Sequence, residues 1–381
     1  MFQVSDELLQ ELIEKRRYLH EHPELGFEEV HTTEMLQSWL SEKGIQVLPF
    51  DLQTGVVAEI KGNGTGPTIA LRADIDALPI HEKTEVSFQS KKEGCMHACG
   101  HDFHTASILG AAILLNEQKE QLRGNVRIIF QPAEEIAQGA KHLVEKGVLE
   151  GVEAIFGMHN KPDLPVGTIG VKSEGLMASV DKFEITFHGV GGHAGIPHKT
   201  IDPIVMASQY VSAVQSIIAR RIDLFHNAVI SITSINGGST WNVIPDKVVL
   251  QGTVRTFQEE AREAIPGLMK GLAESTAQGF GGTAEFHWDA YMPVVFNDAS
   301  YEKIIRTTAE EIGYTAVDAV PSAAGEDFAH YQKFIPGFFV WMGVDGPREW
   351  HHPKFDLQED AIKVAAEFFA ALAVNVLEKR R

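Results

Sequence analysis

The chain has 381 residues, more than one hydrophobic core usually spans, so two domains are expected. Hydrophobic residues make up 44% and charged residues 22%, the balance of a soluble globular protein. A net charge of −19 argues against nucleic acid or an anionic membrane as partner, and no apolar run reaches the roughly 18 residues of a membrane span. Ser5 can cap a first helix, whose apolar positions Leu8, Leu9, Leu12, Ile13 and Leu19 recur at helical spacing. It should end near His20, because Pro23 follows. A second helix is expected at about 33–43. Strands follow at 56–60 and 68–72, joined by a turn at 62–66, and the second strand runs into Asp74 and Asp76.

The densest stretch comes next. Met96 to His104 holds one thiol (Cys99), three imidazoles (His97, His101, His104) and the Asp102 carboxylate, and the apolar run 108–115 reads as a buried helix. A strand at 126–130 ends at Gln131–Pro132–Ala133–Glu134–Glu135, a helix spans about 137–146, and a strand at 154–158 ends at His159. Strand, polar end, helix, strand is the rhythm of an α/β sheet, whose ligands collect beyond the carboxyl ends of the strands. From residue 180 the order becomes strand, helix, strand, strand, helix, strand, at 182–188, 203–221, 229–235, 248–256, 261–277 and 283–288, which matches a ferredoxin-like plan. The α/β pattern then resumes, with helices at 300–312 and 326–333, a strand at 338–342, a loop at 350–353 and a helix at 360–377. The reading is a discontinuous α/β domain, 1–179 with 293–381, carrying an α+β insertion at 180–292.

One histidine or cysteine at a helix start is usually structural. Here ligand-type residues recur just after strand-like runs, and the candidates number Cys99, His101, Glu135, His159 and His351. Mixed N, O and S donors suit Zn²⁺, Mn²⁺, Co²⁺ or Ni²⁺. Five donors exceed what one catalytic ion needs, whereas two divalent ions about 3.5–4 Å apart, bridged by a thiolate and a water, use them all. Glu134 and Glu135 must diverge at a strand-to-loop turn, so Glu135 is read as ligand and Glu134 as general base and acid, against the ordinary fate of a solvated acidic pair. Asp74 and Asp76 could orient a ligand imidazole. Asp102 and His104 could do the same, with capping of the following helix as the alternative for Asp102. His97 has no evident role, and Cys95 reads as a small buried thiol. The Cys95/Cys99 spacing is not that of a redox Cys-x-x-Cys pair. Two cysteines, and an opening without a basic-then-apolar leader, make a cytoplasmic location the expectation.

These residues carry a resemblance. His97–Ala98–Cys99–Gly100–His101–Asp102, with Arg72–Ala73–Asp74–Ile75–Asp76–Ala77–Leu78–Pro79 before it and Gln131–Pro132–Ala133–Glu134–Glu135 after it, resembles the M20 metallopeptidase family. The similarity is to its N-acyl-amino-acid amidohydrolase branch of aminoacylases, hippurate hydrolases and auxin-conjugate hydrolases, and within it to bacterial deacetylases of N-acetylated cysteine derivatives. Arg16–Arg17–Tyr18–Leu19–His20, Gly189–Val190–Gly191–Gly192–His193–Ala194, Asn242–Val243–Ile244–Pro245, Gly252–Thr253–Val254–Arg255 and Gly325–Glu326–Asp327–Phe328 extend it over almost the whole chain.

The resemblance implies a zinc-peptidase-like dinuclear catalytic domain with an inserted lid or dimerisation domain. It implies Cys99, His101, Glu135, His159 and His351 as metal ligands, with His352 as the fallback for His351, and Glu134 as base. It further implies His193 as a hydrogen-bond partner of the oxyanion, with a partner subunit's site as one place for it, and Asn242 and Arg255 as holders of the substrate carboxylate or carbonyl. Read alone, those three are turn or strand-end residues. The implied reaction is hydrolysis of a small-molecule N-acyl, chiefly N-acetyl, L-amino acid, with S-substituted N-acetylcysteines among the candidates, by a metal-bridged hydroxide with Glu134 as general base and acid. N-acetyldiaminopimelate deacetylase and dipeptidase or carboxypeptidase activity are the alternatives, and a homodimer or higher homo-oligomer is the assembly to test. A metal-storage protein would need the ligands but not the spare base.

Overall fold

The computed structural model describes residues 2–64 and 66–379, and Thr65 of the expected 62–66 turn lies outside the described residues. The chain divides into two compact units. The first comprises the residues up to Leu176, Phe296–Val320 and the residues from Asp327 onward; the second comprises Met177–Val295 and Pro321–Glu326. No helix among the described residues is long and apolar enough to cross a membrane.

In the first unit, α1 (Asp6–Glu21) begins where Ser5 Oγ accepts from Leu8 N, and α2 (Val30–Glu42) starts ahead of the expected residue 33. Its first turn carries exposed Val30, which adds nothing to the apolar stripe from which periodicity is read. The mixed eight-stranded sheet runs β1 (Gln46–Val47), β2 (Val56–Lys61), β4 (Asn125–Gln131), β3 (Thr68–Asp74), β5 (Val152–Lys161), β8 (Gly337–Gly343), β6 (Thr168–Val171) and β7 (Thr315–Asp318). β1, β6 and β7 are too short to show alternation in the sequence. β4, β3, β5 and β8 are neighbours and mutually parallel, so their carboxyl ends share one edge.

After β3 the chain crosses over through α3 (His101–Glu117), which is buried on every side as far as Leu115. α3 packs against α1 and the last helix, and a β-carbon at Gly110 would lie 2.7 Å from Leu12 and 2.9 Å from Ala366. That close approach requires glycine. The remaining α-helices of this unit among the described residues are α4 (Gly139–Glu145), α5 (Glu302–Glu311), α6 (Ala329–Gln332) and α7 (Ala361–Lys379). The helix expected at 326–333 is reduced to the single turn α6. His330 N and Tyr331 N bond three residues back, to Asp327 O and Phe328 O, while the Asp327 side chain bonds to other elements. β5 also runs past its expected end, so His159 lies within a strand.

The second unit is a four-stranded antiparallel sheet in the order Ala228–Gly237, Lys247–Thr256, Val180–His188, Thr283–Met292. Helices Pro203–Arg221 and Glu259–Gly279 complete a β-α-β-β-α-β succession. Phe183, Ile185, Phe187 and Leu250 of the sheet and Tyr210, Ile265 and Met269 of the helices form its own core. Asp202 Oδ1 caps the first of these helices through Ile204 N at 2.9 Å, with Pro203 in its first turn. A small ribbon pairs Gly192–His193 with Val243–Ile244.

One buried ion cluster ties α1 to the start of α3. Arg16, fully buried, lies 2.7 Å from Asp102 and 3.2 Å from Glu359, and His20 Nδ1 lies 2.9 Å from Asp102. Asp102 therefore neither caps α3 nor orients a candidate ligand. Burial alone would raise its carboxyl, but Arg16 and then His20 hold it well below the usual carboxylate range. Asp102→Asn should destabilise the protein by about 3–5 kcal/mol in urea unfolding, because Arg16 is left buried without that counter-charge. A depressed carboxyl stabilises above its unfolded pKa of about 3.9 and loses that contribution as pH falls towards its folded value. The gap between wild type and variant should thus narrow in acid; a gap that widens below pH 4 would contradict the pairing.

Candidate metal centre

The four parallel strand ends deliver the donors. Cys99 and His101 follow β3 at the mouth of α3, Glu135 follows β4, His159 is on β5, and His351 follows β8. Gly100, at the N-cap of α3, takes φ +84°, and a β-carbon there would meet Asn160 Nδ2 at 2.6 Å. The left-handed glycine lets Cys99 and His101 turn to the same side of the chain. Cys99 Sγ lies 3.3 Å from His159 Nε2, His101 Nε2 lies 3.8 Å from Glu135 Oε1, and His351 Nε2 lies 3.5 Å from Glu135 Oε2. Two donors bound at about 2.1 Å to one tetrahedral ion stand roughly 3.4 Å apart, so these separations suit shared ions.

Among the groups of donor atoms within 4.8 Å of one another, Cys99–His101–His159 and Cys99–Glu135–His351 share Cys99, and His101–Glu134–Glu135 adds the second carboxylate. A cation would satisfy these atoms. His101 Nε2 and Glu135 Oε1 are buried with no hydrogen-bond partner among the described residues. Burial pushes the Cys99 thiol well up, and the Glu135 and Glu134 charges push it further. Burial opposes a charge on His101, yet Asp74, Asp76 and Glu135 raise it to about 10. A divalent ion would reverse both preferences, favouring a thiolate and a neutral imidazole. The residues present fit a metal.

Behind the donors stands a ring of hydrogen bonds. His101 Nδ1 donates to Asp76 Oδ1 at 3.1 Å, while Asp76 Oδ2 accepts from Glu135 N at 3.0 Å. His159 Nδ1 donates to Asn160 O at 2.9 Å, which turns Nε2 towards Cys99. Of the two aspartates read as orienting groups, Asp76 holds a candidate ligand. Asp74 holds His104 at 2.6 Å and Arg72 at 2.7 Å. His104 Nε2 accepts from Asn160 N at 2.9 Å, and Asn160 Nδ2 donates to Cys99 O at 2.6 Å. Trp350 Nε1 donates to Asn160 Oδ1 at 3.0 Å, with its ring against His159. Asn160 and Trp350 escaped the sequence reading; their only signal was adjacency to His159 and His351.

The other expected residues are placed as follows. Glu134 is buried beside the set, and its Oε1 accepts from Asp327 N at 3.3 Å. His193 and Asn242 are exposed and share the small ribbon of the second unit, where Ala194 N donates to Asn242 O at 3.1 Å. Arg255 is half-buried on the Lys247–Thr256 strand. His97 is buried, and burial pushes it down to about 3. Cys95 Sγ faces Pro23 O at 3.6 Å, and both cysteines are free.

Comparison with known proteins adds four likenesses. The model of peptidase family M20/M25/M40 matches residues 70–375. The chain is 59% identical to the N-acetylcysteine deacetylase of Bacillus subtilis (strain 168) across 96% of this chain and 97% of that one. It is 47% identical to an N-acetyl-L-cysteine deacetylase of the same strain, across 97% and 89%. The crystal structure of the Bacillus subtilis YXEP protein, described as a dinuclear metal-binding peptidase, matches with a TM-score of 0.91 at 55% identity, across 98% of this chain and 99% of that one.

The two adjacent histidines are separated by their backbone. His351 takes φ +62°, donates its N–H to Ala98 O at 2.8 Å and aims at Glu135. His352 Nδ1 instead accepts from Lys354 N at 2.9 Å. His351→Ala should lower the metal content of purified protein, and His352→Ala should leave it unchanged. Elemental analysis after dialysis checks this, and the opposite pattern would exchange the two assignments.

Proposed function

The chain belongs to peptidase family M20/M25/M40, and from that premise we propose that it is a metal-dependent amidohydrolase cleaving N-acyl, chiefly N-acetyl, L-amino acids. N-acetylcysteine and its S-substituted forms are the proposed substrates. The observation that carries the reading is a pair of adjacent carboxylates, each with an oxygen within 4.8 Å of the other's and of a His101 nitrogen, that have different partners. Both oxygens of Glu135 face candidate donors, His101 and His351, while Glu134 is held beside them by the Asp327 N–H.

We assign Cys99, His101, Glu135, His159 and His351 as ligands to two divalent ions, drawn from Mn²⁺, Zn²⁺, Co²⁺ and Ni²⁺. Bound there, the ions would supply Lewis acidity towards the amide carbonyl and towards water at neutral pH. Glu134 takes the proton of the attacking water as the carbonyl carbon becomes tetrahedral, then delivers it to the leaving amine. The Asp327 N–H anchors its Oε1 at 3.3 Å. His193 is the proposed donor to the oxyanion. Its Nδ1 accepts from Gly195 N at 2.9 Å, so a neutral ring carries its proton on Nε2, the tautomer that can donate. Asn242 and Arg255 are proposed to hold the substrate carboxylate or carbonyl, Arg255 through its forked donors.

Amine release should be measured from N-acetylcysteine, its S-alkyl forms, N-acetylmethionine, N-acetyldiaminopimelate, hippurate and dipeptides, with Mn²⁺-, Co²⁺- or Zn²⁺-loaded protein and a chelated control. Metal-dependent release from the N-acetylated cysteines is expected. Release from dipeptides alone would make the protein a peptidase instead. Glu134→Gln should retain metal and lose about 10²–10⁴-fold in turnover. Activity near wild type in that variant would remove Glu134 from the base role.

A further inference from the structure

Glu29 is the N-cap of α2, a position where a carboxylate ordinarily accepts from the first N–H groups of its own helix in contact with water. It makes no such bond. The side chain is instead fully buried and spends its oxygens elsewhere. Oε2 accepts from Thr54 Oγ1 at 2.8 Å. Oε1 accepts from Ala133 N at 2.8 Å, 104 positions along the chain. Burying a carboxyl is costly unless its bonds offset the lost water, and burial, followed by the nearby Asp76 charge, raises this one to about 7. Nothing within α2 explains that expense.

The recipient does. Ala133 takes φ +55° and Ala137 takes φ +54°, left-handed conformations that an L-residue with a β-carbon adopts only when its surroundings impose them. Between them lie Glu134 and Glu135. Ala137 N donates to Glu134 O at 2.7 Å, closing the turn, and Asp76 Oδ2 holds Glu135 N. The segment before α2 also packs against it, for a β-carbon at Gly26 would lie 3.1 Å from Ala133 Cα. Ala133 is the entry to the turn, and its conformation decides which way the next two side chains leave the backbone.

We propose that Glu29 is a positioning residue: by holding the Ala133 N–H it locks the left-handed entry of the turn and so aims Glu134 and Glu135 together. This rests on the reading of Glu135 as ligand and Glu134 as base. One acceptor oxygen, bonded to the residue just before Glu134, would then govern both metal affinity and the chemical step.

The test uses the full chain with Glu29→Ala, Glu29→Gln and Thr54→Val, each checked for folding by circular dichroism. Mn²⁺ affinity is titrated first, with no substrate present. Steady-state constants then follow at saturating Mn²⁺, on the amide turned over fastest in the panel. Glu29→Ala should lose about 10–100-fold in Mn²⁺ affinity and a comparable factor in kcat, with KM unchanged. Glu29→Gln keeps an amide oxygen for the Ala133 N–H and should restore both. Thr54→Val frees Glu29 to rotate and should move both in the direction of Glu29→Ala, by less. Unchanged Mn²⁺ affinity and kcat in a folded Glu29→Ala overturn the proposal, as does a Glu29→Gln protein no better than Glu29→Ala. If Glu29→Ala does not fold, wild-type affinity and kcat in Thr54→Val overturn it. The Mn²⁺ titration separates this from the base assignment, because retained activity in Glu134→Gln would remove the base and still leave Glu29 to be judged by metal affinity.

Discussion

Donor atoms taken out of water must find a partner, and at this centre two buried ones make no hydrogen bond among the described residues. His101 Nε2 and Glu135 Oε1 face each other across 3.8 Å with no hydrogen bond to either. Cys99 beside them is a thiol forced upward by burial and by carboxylates. Such a cluster would be a liability in a metal-free core. It becomes a binding site once a cation is admitted, because the same carboxylates that disfavour a thiolate then share its counter-charge. The parallel strands make this concentration of donors feasible. Four adjacent carboxyl ends bring together residues from distant parts of the chain, and the sheet behind them is a continuous apolar core.

Around that cluster the fold spends buried charge to fix direction. Arg72 bonds to Asp74 at 2.7 Å and to Asp327 at 2.9 Å. Asp74 leads through His104 and Asn160 to Cys99, and the Asp327 backbone leads to Glu134. One guanidinium therefore links the support of a candidate ligand to the support of the candidate base. Asp327 is pushed up to about 6 by burial, despite Arg72, and also accepts from Gln131 Nε2 and Ala140 N. These bonds draw the Gly325–Glu326–Asp327–Phe328 segment out of helix and leave only α6. Buried networks of this kind set orientation more than they add stability.

The second unit solves a different problem. Its core is closed by its own two helices and sheet, so its ribbon can carry exposed polar groups without cost to packing. His193 and Asn242 sit there, and the backbone of Gly195 fixes the His193 tautomer.

Much of this was legible in the residues. Helical spacing located α1 and the Pro203–Arg221 helix, and the strand runs located the sheet cores, because period and capping are local properties. Candidate donors were legible because thiol, imidazole and carboxylate types are scarce at strand ends. The short strands β1, β6 and β7 were not, since two to four residues hold too few alternations to register a period. Nor could residue type reveal that Asp102 pairs with Arg16, that Asn160 braces Cys99, or that Glu29 abandons its own helix for Ala133. Each of those bonds joins positions remote in sequence, and a polar side chain carries no local sign of which distant group it will meet. Sequence thus determined the longer elements and the chemical inventory. Only the tertiary structure decided which oxygen faces which nitrogen, because that depends on strand order and on backbone angles at single residues such as Gly100, Ala133 and His351.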